Sequence, residues 1–294
     1  PDATEFTKFY GPLILIATVI VPAIVAAVLD AWRREGRYAD GEKARSERRM
    51  GLVDHAYRAL VEPLSELIGR LRWAAVLVLA IILTYRLTDS IWGPFALPFY
   101  LQELNYTNDE VAVASKFFGV GMTMAGIALG AISFATIGRM ATLVFAALIA
   151  AASNLLYADL ALGGAGLDVF GNGSGFYWLT SQFGADARFS RLLLAITGEN
   201  ISGGFAGAAF VAYLSSITSK SHAAVQYALL SSLTFLVGSL GRAALGEKID
   251  SGGYAPVFFM TAALGMVAVV LCALEWIRTS RQARSHDPEA LTSP

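Results

Sequence analysis

The chain has 294 residues, of which 55% are hydrophobic and 15% are charged, and its formal net charge is −1. Soluble domains carry about 25% charged residues, so this deficit indicates that lipid surrounds much of the chain. The near-zero net charge predicts no nucleic-acid partner. The single cysteine, Cys272, lies in an apolar run and the three histidines lie outside such runs, so no disulfide framework, metal site or other cofactor is predicted.

Seven apolar stretches have the length of a membrane-spanning helix, which needs about 20 residues to cross about 30 Å of hydrocarbon. In chain order they lie near Tyr10–Leu29, Trp73–Leu101, Glu110–Thr136, Ala141–Leu162, Arg191–Thr218, Val225–Gly246 and Ala255–Ile277. The sequence therefore predicts an all-α polytopic membrane protein with about seven transmembrane helices.

The distribution of Lys and Arg predicts how these helices are oriented. With residues 30–72 placed inside, the inner side carries fifteen of these residues and the outer side carries four, while three fall within spans. Because cytoplasmic loops are enriched in Lys and Arg, we expect the N-terminal end outside and the C-terminus in the cytoplasm.

One span, a long basic segment and six closely connected spans form the predicted domain organisation. Residues 1–29 hold the outer N-terminal end and the first span, 30–72 a cytoplasmic linker, 73–277 a six-helix half-domain and 278–294 a cytoplasmic tail. Six helices suit the three-plus-three arrangement of half a transporter built from inverted repeats. The first span would then end a missing N-terminal half, and because Pro1 is not a start residue we expect a piece of a longer chain.

Two longer connections separate the spans. In the linker, apolar residues recur every three or four positions and predict an amphipathic helix. This helix lies on the membrane surface, straps two helix bundles together or regulates the protein. Its apolar residues are Val53, Tyr57, Leu60, Leu64, Leu67 and Leu71. Residues 163–190 are rich in glycine and aromatic residues without a clear period, so we predict a loop that touches the membrane surface.

Ionised side chains inside the apolar runs are the candidate functional residues. Arg86 and Asp89 lie one helical turn apart in the span Trp73–Leu101. A charge in hydrocarbon costs about 2.5 kcal/mol or more, so such residues normally face a bundle interior or a water-filled path. The pair either forms a structural salt bridge or takes part in substrate or proton binding. This span would be about 43 Å long as one helix, and a kink is predicted at Gly93–Pro94.

Three further spans contribute candidates. Lys116 and Arg242 lie near span ends, where a long cationic side chain can reach the interface, so anchoring is the alternative role. Glu199, followed by Asn200, lies about two turns into its span and is the better proton-site candidate, because its side chain is shorter. This candidate set has three cations (Arg86, Lys116 and Arg242) and two acids (Asp89 and Glu199), and the excess positive charge suits an anionic substrate.

Small residues four positions apart indicate close helix contacts. The pairs are Gly126 with Gly130 and Gly203 with Gly207. Such pairs let two helix backbones approach, and they serve either packing alone or the sliding of helices during transport.

Three stretches resemble AmpG-type muropeptide permeases. YRLTDSIWGPFALPFYLQELNYTNDEVAVASKFFG at 85–119 is similar to that family's seventh helix and the start of its eighth, and EPLSELIGRLRW before it resembles the family's central linker. GENISGGFAGAAFVAYLSSITSKSHAAVQYALLSSL at 198–233 resembles a region of the family's second half. The positions that fit these motifs, and that the resemblance implies are pore-facing, are Arg86, Asp89, Lys116, Glu199, Asn200 and Gln226.

The resemblance implies a major-facilitator-type helical bundle in the bacterial inner membrane. The implied function is proton-driven import of anhydro-muropeptides, small anionic glycopeptides, which recycles peptidoglycan and feeds the signal for β-lactamase induction. The proton gradient would supply the energy, and membrane lipids and the missing N-terminal half are the other expected partners, because the site of such transporters lies between two halves. In the expected mechanism Asp89 or Glu199 takes a proton, while Arg86 or Lys116 holds a substrate carboxylate.

Other functions are compatible with parts of this pattern. A carrier of acetyl-CoA would also suit the excess positive charge, because that cargo is anionic. A seven-helix receptor has the right number of spans, but a retinal protein needs a lysine in its last helix and Ala255–Ile277 contains none. An enzyme is not predicted, because the spans contain no zinc motif, no nucleophile with a partner histidine and no paired catalytic carboxylates.

Overall fold

The computed structural model describes residues 62–87, 93–219 and 223–286, together with the single residues Leu13 and Val21. Within these ranges the regular structure is helical and contains no strand, which confirms the predicted all-α fold class. The main helices, numbered here in chain order, are α1 Glu62–Leu71, α2 Ala74–Thr84, α3 Asn108–Ile137, α4 Arg139–Ala161, α5 Ala165–Gly173, α6 Phe176–Ser181, α7 Ala187–Ile217, α8 Ala223–Gly252 and α9 Tyr254–His286.

Three helices of the described ranges are long and apolar enough to cross a membrane, namely α3, α4 and the Tyr254–Gln282 part of α9. α3 exposes large apolar side chains along its length, including Val120, Met124 and Ile132. A helix surface of this kind is suited to lipid rather than water. Apart from Leu13 and Val21, the predicted first span lies outside the described residues, so the total of seven spans stays a prediction.

The predicted span Trp73–Leu101 is not one continuous helix. α2 ends at Thr84 and a turn follows at 85–86. Beyond the undescribed residues 88–92, the chain continues as short 3-10, α and π turns over 93–103. A 3-10 turn begins at Gly93, in agreement with the kink predicted at Gly93–Pro94. A further interruption, which was not predicted, lies about two turns earlier, where tertiary contacts of Tyr85 hold the turn.

The prediction that residues 163–190 form a loop is also wrong, because they contain α5 and α6. Asp159, near the end of α4, accepts a hydrogen bond from the backbone N–H of Leu167 (2.8 Å) and so caps the first turn of α5. Gly164 and Gly175 precede the two helices with φ angles of 77° and 76°, which glycine adopts without strain. Periodicity does not reveal helices this short, and the cap of α5 comes from a neighbouring helix.

The last helix extends further than its apolar run. α9 continues to His286, so the predicted tail at 278–294 begins as helix. One turn before the end of the apolar run, Glu275 is 1% exposed and accepts hydrogen bonds from Arg278 at 2.6 and 2.7 Å. This pair supplies the buried carboxylate with charge-assisted hydrogen bonds at the end of the predicted membrane segment.

The chain divides into two compact units. Unit 1 consists of Pro1–Leu83 and Leu214–Ala243, and unit 2 of Thr84–Tyr213 and Ala244–Pro294. In the described part of unit 2 the core contains an aromatic cluster whose neighbouring ring centroids lie 4.8–6.4 Å apart. Its members are Phe99, Tyr100, Tyr157, Tyr254 and Phe258. The cluster joins the π turn to α4 and α9, and it packs Tyr100 and Tyr157 against three other aromatic rings.

A carboxylate connects the short helices α5 and α6 to α7. Asp168 on α5 accepts hydrogen bonds from Arg191 on α7 at 2.8 and 2.5 Å and from Tyr177 on α6 at 2.7 Å. The Arg191 hydrogen bonds, and after them the Tyr177 hydrogen bond, lower the pKa of Asp168 below its usual value.

Replacing Asp168 with asparagine is expected to lower the thermal stability of the protein in a pH-dependent way. Because the folded-state pKa is lowered, the ionised form contributes stability above the unfolded pKa of about 3.9, and this contribution is lost as the pH falls through the folded pKa. The difference in Tm should thus be largest near neutral pH, with a cost of about 1 kcal/mol or less because the pair is partly exposed. Thermal unfolding of Asp168→Asn against the exposed control Asp250→Asn, at neutral and acidic pH, measures this. An equal Tm difference at both pH values would contradict it.

Candidate functional site

Unit 2 contains a cavity of about 700 Å³ between helices α3, α4 and α7 and the turn that follows α2. Its polar lining side chains are Arg86, Thr123, Ser153, Asn154, Tyr157, Glu199, Asn200 and Ser202. The remaining wall consists of small and apolar residues, including Ile127, Gly204, Gly207 and Val211. A concave space of this size with a few convergent polar groups has the character of a small-molecule site.

The interruption after α2 places Arg86 in the cavity. The Tyr85 ring stacks on Phe210 of α7, with centroids 4.9 Å apart and planes 9° apart, and its hydroxyl donates to the Leu143 carbonyl (3.4 Å). Arg86 lies next to Gly207, where an added Cβ would be 3.2 Å from a guanidinium nitrogen. The aromatic stack therefore fixes the turn, and the missing side chain at Gly207 leaves room for the guanidinium group.

Glu199 of α7 is the acidic group of the cavity. Its carboxylate accepts a short hydrogen bond from the Tyr157 hydroxyl of α4. The Tyr157 oxygen lies 2.7 Å from the Tyr100 oxygen on the π turn Phe99–Glu103. Tyr100 and Tyr157 are both buried, so this hydrogen-bonded chain runs from the cavity into the aromatic core.

Neutral amide and hydroxyl groups complete the polar lining. Thr123 donates to the Asn200 side-chain oxygen at 2.8 Å, and the Asn200 amide nitrogen donates to the Ile196 carbonyl at 3.0 Å. On α4, the Asn154 side-chain oxygen accepts from Thr261 of α9 at 3.0 Å. These contacts hold both amides in fixed orientations at the cavity wall.

Glycines bring α3 and α7 into backbone contact beside the cavity. A Cβ added at Gly126 of α3 would overlap the Ile201 carbonyl of α7, and a Cβ added at Gly204 of α7 would overlap the Thr123 carbonyl of α3. This close approach allows the short side chains Thr123 and Asn200 to meet.

The structure brings together three of the residues that the sequence proposes. Arg86, Glu199 and Asn200 line the same cavity. Lys116 belongs to the π-helical stretch of α3 and is exposed rather than a lining residue. Asp89 and the side chain of Arg242 lie outside the described part of the structure.

Gln226, the remaining candidate, is buried in unit 1. Its side-chain nitrogen donates to the Glu66 carboxylate of α1 at 2.6 Å, and its oxygen accepts from the backbone N–H of Ser219 at 2.7 Å. In the same unit Arg70 of α1 donates to the Ile217 carbonyl at the end of α7. Gln226 thus connects the linker helix to the turn between α7 and α8.

Sequence reasoning missed several polar residues of this site. Tyr100, Tyr157, Thr123 and Asn154 carry no charge, and residues of these types are common in apolar helices. Only their contacts with Glu199, Asn200 and Thr261 distinguish them, and nothing in the sequence pattern marks such contacts. Glu275 was also missed, although an acid inside the last apolar run was a signal that could have found it.

Comparisons with known proteins identify relatives that are named as AmpG transporters or as an anhydromuropeptide permease. A Rickettsia conorii protein with the name AmpG 4 is 28% identical over 197 residues, which cover 67% of this chain and 42% of that protein. Its Rickettsia felis counterpart is 28% identical over 213 residues, with 72% and 45% covered. The anhydromuropeptide permease of Escherichia coli is 25% identical over 287 residues, which cover 95% of this chain and 50% of the permease. No family model matches the chain.

The chain spans about half the length of the curated relatives it matches. These relatives are named as transporters and permeases, and the resemblance found in the sequence is confirmed. Together with the apolar helices, the comparisons show that this chain is an all-α, polytopic membrane protein homologous to the AmpG-type permeases.

Proposed function

We propose that the chain forms the second half of a major-facilitator-type transporter that imports anhydro-muropeptides, driven by the proton gradient. The observation that carries the proposal is the placement of Arg86 and Glu199, one cation and one acid, in the same cavity of a membrane protein. The names of the relatives support a muropeptide as the cargo.

The chemistry of the cavity suits a glycopeptide. A guanidinium group binds a carboxylate through two parallel hydrogen bonds, so Arg86 is the proposed partner for a peptide carboxylate of the cargo. Asn154, Asn200 and Ser202 offer amide and hydroxyl groups that match sugar hydroxyls and peptide bonds. The rest of the substrate site would come from the part of the transporter that corresponds to the uncovered half of the relatives.

Proton coupling would use an acid close to the bound cargo. Glu199 is our first candidate because it lies in the cavity with Arg86, and Asp89 is the second because of its sequence spacing from Arg86. Protonation of the acid would remove a competing negative charge and leave Arg86 available to the cargo. We place the transporter in the bacterial inner membrane, with the C-terminus of this chain in the cytoplasm, because of its Lys and Arg distribution.

Uptake of labelled anhydro-muropeptide into membrane vesicles, with and without an inward proton gradient, tests the proposed function. The protein should be produced from the longest reading frame that contains this chain, beside the 294-residue chain itself. We expect gradient-dependent uptake by the long form alone. Absence of uptake in both would refute the proposal, and inhibition by acetyl-CoA but not by unlabelled muropeptide would reassign the cargo.

Replacing Arg86 with glutamine in the long form is expected to raise the KM for muropeptide uptake about tenfold to a hundredfold, because a charge-assisted hydrogen bond contributes about 1.5–3 kcal/mol. Arg86→Lys should recover only part of this loss, since lysine cannot form the paired hydrogen bonds of the guanidinium group. The exposed Arg139, the first residue of α4, provides the matched control Arg139→Gln. Equal KM values for Arg86→Gln and the control would exclude Arg86 as the carboxylate partner.

A further inference from the structure

Two buried tyrosines connect Glu199 to the π turn at 99–103. The oxygens of Tyr100 and Tyr157 lie 2.7 Å apart, and Tyr157 also donates to the Glu199 carboxylate. Tyr100 and Tyr157 are 4% and 1% exposed. Hydroxyl groups buried among aromatic rings lie in surroundings of low dielectric constant, which strengthens the hydrogen bond between them.

The direction of every hydrogen bond in this chain is determined by Glu199. A phenol has one proton, and when Glu199 is ionised Tyr157 directs its proton to the carboxylate, which can only accept. Tyr157 must therefore accept from Tyr100, which becomes the donor in the pair. When Glu199 is protonated, its own O–H can donate to Tyr157, and the whole chain can reverse.

The far end of the chain lies toward the side that the charge distribution predicts to be outside. Tyr100 belongs to the π turn Phe99–Glu103, directly before the connection that leads into α3. The backbone N–H of Tyr106 in this connection donates to the Tyr100 carbonyl at 2.9 Å, which fixes the turn. Single π turns within helices are frequent at functional sites.

We propose that Tyr100 and Tyr157 form a proton relay that carries protons from the outer side of the membrane to Glu199. A proton from water reaches the Tyr100 oxygen, the Tyr100 proton passes to the Tyr157 oxygen, and the Tyr157 proton passes to Glu199. Both phenols end neutral with reversed hydrogen bonds, and Glu199 ends as the carboxylic acid. For each proton that enters at Tyr100, Glu199 therefore binds one proton. This inference rests on the proposed function only for the direction of proton transfer, from the outer side to Glu199, since the relay itself needs no cargo.

A substitution at Tyr100 distinguishes a proton relay from a role in substrate binding. Tyr157 lines the cavity and can touch a cargo, but Tyr100 is not among the lining residues. Replacing Tyr100 with phenylalanine removes one oxygen atom and leaves the ring of the aromatic cluster in place. An effect of this substitution on Glu199 must therefore pass through Tyr157.

Tyr213 offers a matched control in the same unit. It is 1% exposed, and its hydroxyl lies 3.5 Å from the carboxylate of a buried glutamate, Glu275. Neither residue lines the cavity. Tyr213→Phe thus removes a buried phenol oxygen beside a buried glutamate without touching the proposed relay.

The experiment that tests the relay is time-resolved infrared spectroscopy of the purified long form after a rapid drop in pH. The carboxylic C=O band that is absent from Glu199→Gln reports the protonation of Glu199 without any cargo. We expect its rate of appearance to fall at least about tenfold in both Tyr100→Phe and Tyr157→Phe, and to stay unchanged in Tyr213→Phe. An unchanged rate in Tyr100→Phe would overturn the relay, as would an equal slowing in Tyr213→Phe.

Vesicle transport with the same variants distinguishes the relay from the proposed function. We expect gradient-driven muropeptide accumulation to be slowed in Tyr100→Phe, while exchange of labelled for unlabelled muropeptide at equal pH is retained. If the wild-type protein moves no muropeptide but the infrared rates differ as expected, the cargo assignment fails and the relay stands. If the wild-type protein transports and Tyr100→Phe accumulates cargo at the wild-type rate, the relay fails and the transporter stands.

Discussion

Replacing Glu199 with glutamine in the long form is expected to abolish gradient-driven accumulation of muropeptide while leaving exchange at equal pH intact. A gradient of one pH unit is worth about 1.4 kcal/mol per proton, which supports about tenfold accumulation. Without a group that binds the coupling proton, the ratio of inner to outer cargo should fall to about one. Glutamine resembles the protonated acid in shape and neutral charge, and its side-chain oxygen can still accept from Tyr157.

The accumulation ratio and the exchange rate should be measured on the same vesicles. Glu103→Gln is a suitable control, because Glu103 is exposed and does not line the cavity. Loss of both accumulation and exchange in Glu199→Gln would indicate that Glu199 supports cargo binding or folding instead. Accumulation at the wild-type ratio would show that another acid binds the coupling proton, and Asp89 is the next candidate.

The second large effect is expected on stability, from single alanine substitutions at the contact of α3 and α7. In Gly126→Ala the new Cβ overlaps the Ile201 carbonyl, and in Gly204→Ala it overlaps the Thr123 carbonyl. A backbone carbonyl cannot rotate away as a side chain can, so the two helices must separate. We expect each substitution to lower the free energy of unfolding by about 1–3 kcal/mol, which is typical of overpacking.

Neighbouring glycines provide controls on the same two helices. Gly121 of α3 and Gly203 of α7 have no atom within 4 Å of an added Cβ. Gly121→Ala and Gly203→Ala should therefore be neutral or stabilise by about 0.5–1 kcal/mol, because alanine loses less backbone entropy in a helix. Thermal unfolding in detergent compares all four variants. Equal Tm values for the contact glycines and the controls would disprove the close approach of the helices.

The double variant of Gly126 and Gly204 sharpens this test. Both residues serve the same helix contact, so once the first alanine has separated the helices, the second should cost less than it does alone. A fully additive loss of stability would show that the two positions pack independently.

Several features of the fold follow from local sequence. α3 and α4 were predicted to within a few residues, because a long apolar run in a membrane has to satisfy its backbone hydrogen bonds as a helix. The spacing of glycines indicates Gly126 as a contact residue, but on α7 it indicates Gly203, whereas the contact is made by the neighbouring Gly204. The break after α2 and the helices within 163–190 were not predicted, since the stacking of Tyr85 and the cap from Asp159 come from other segments.

The residues of the candidate site also fall into those that the sequence alone indicates and those that only the structure reveals. Arg86 and Glu199 could be selected because charge inside hydrocarbon is costly, and its cost is visible in the composition of a single span. The neutral Asn200 could be selected only as the neighbour of Glu199 in a stretch that resembles the permeases. Tyr100 and Tyr157 could not be selected, because a tyrosine in an apolar helix costs little by itself. Lys116 was selected by the same rule as Arg86, yet its side chain lies exposed instead of entering the cavity.

The sequence by itself therefore determined that the protein is a helical membrane protein, that it is related to the AmpG-type permeases, and that ionisable residues lie within its spans. Each of these depends on hydropathy, spacing or similarity, all of which can be read along one segment. The tertiary structure alone decided which ionisable side chains share a cavity and which neutral hydroxyl groups reach them. The physical reason is that a hydrogen bond such as that from Tyr157 to Glu199 joins residues 42 positions apart, and only the packing of α4 against α7 brings them together.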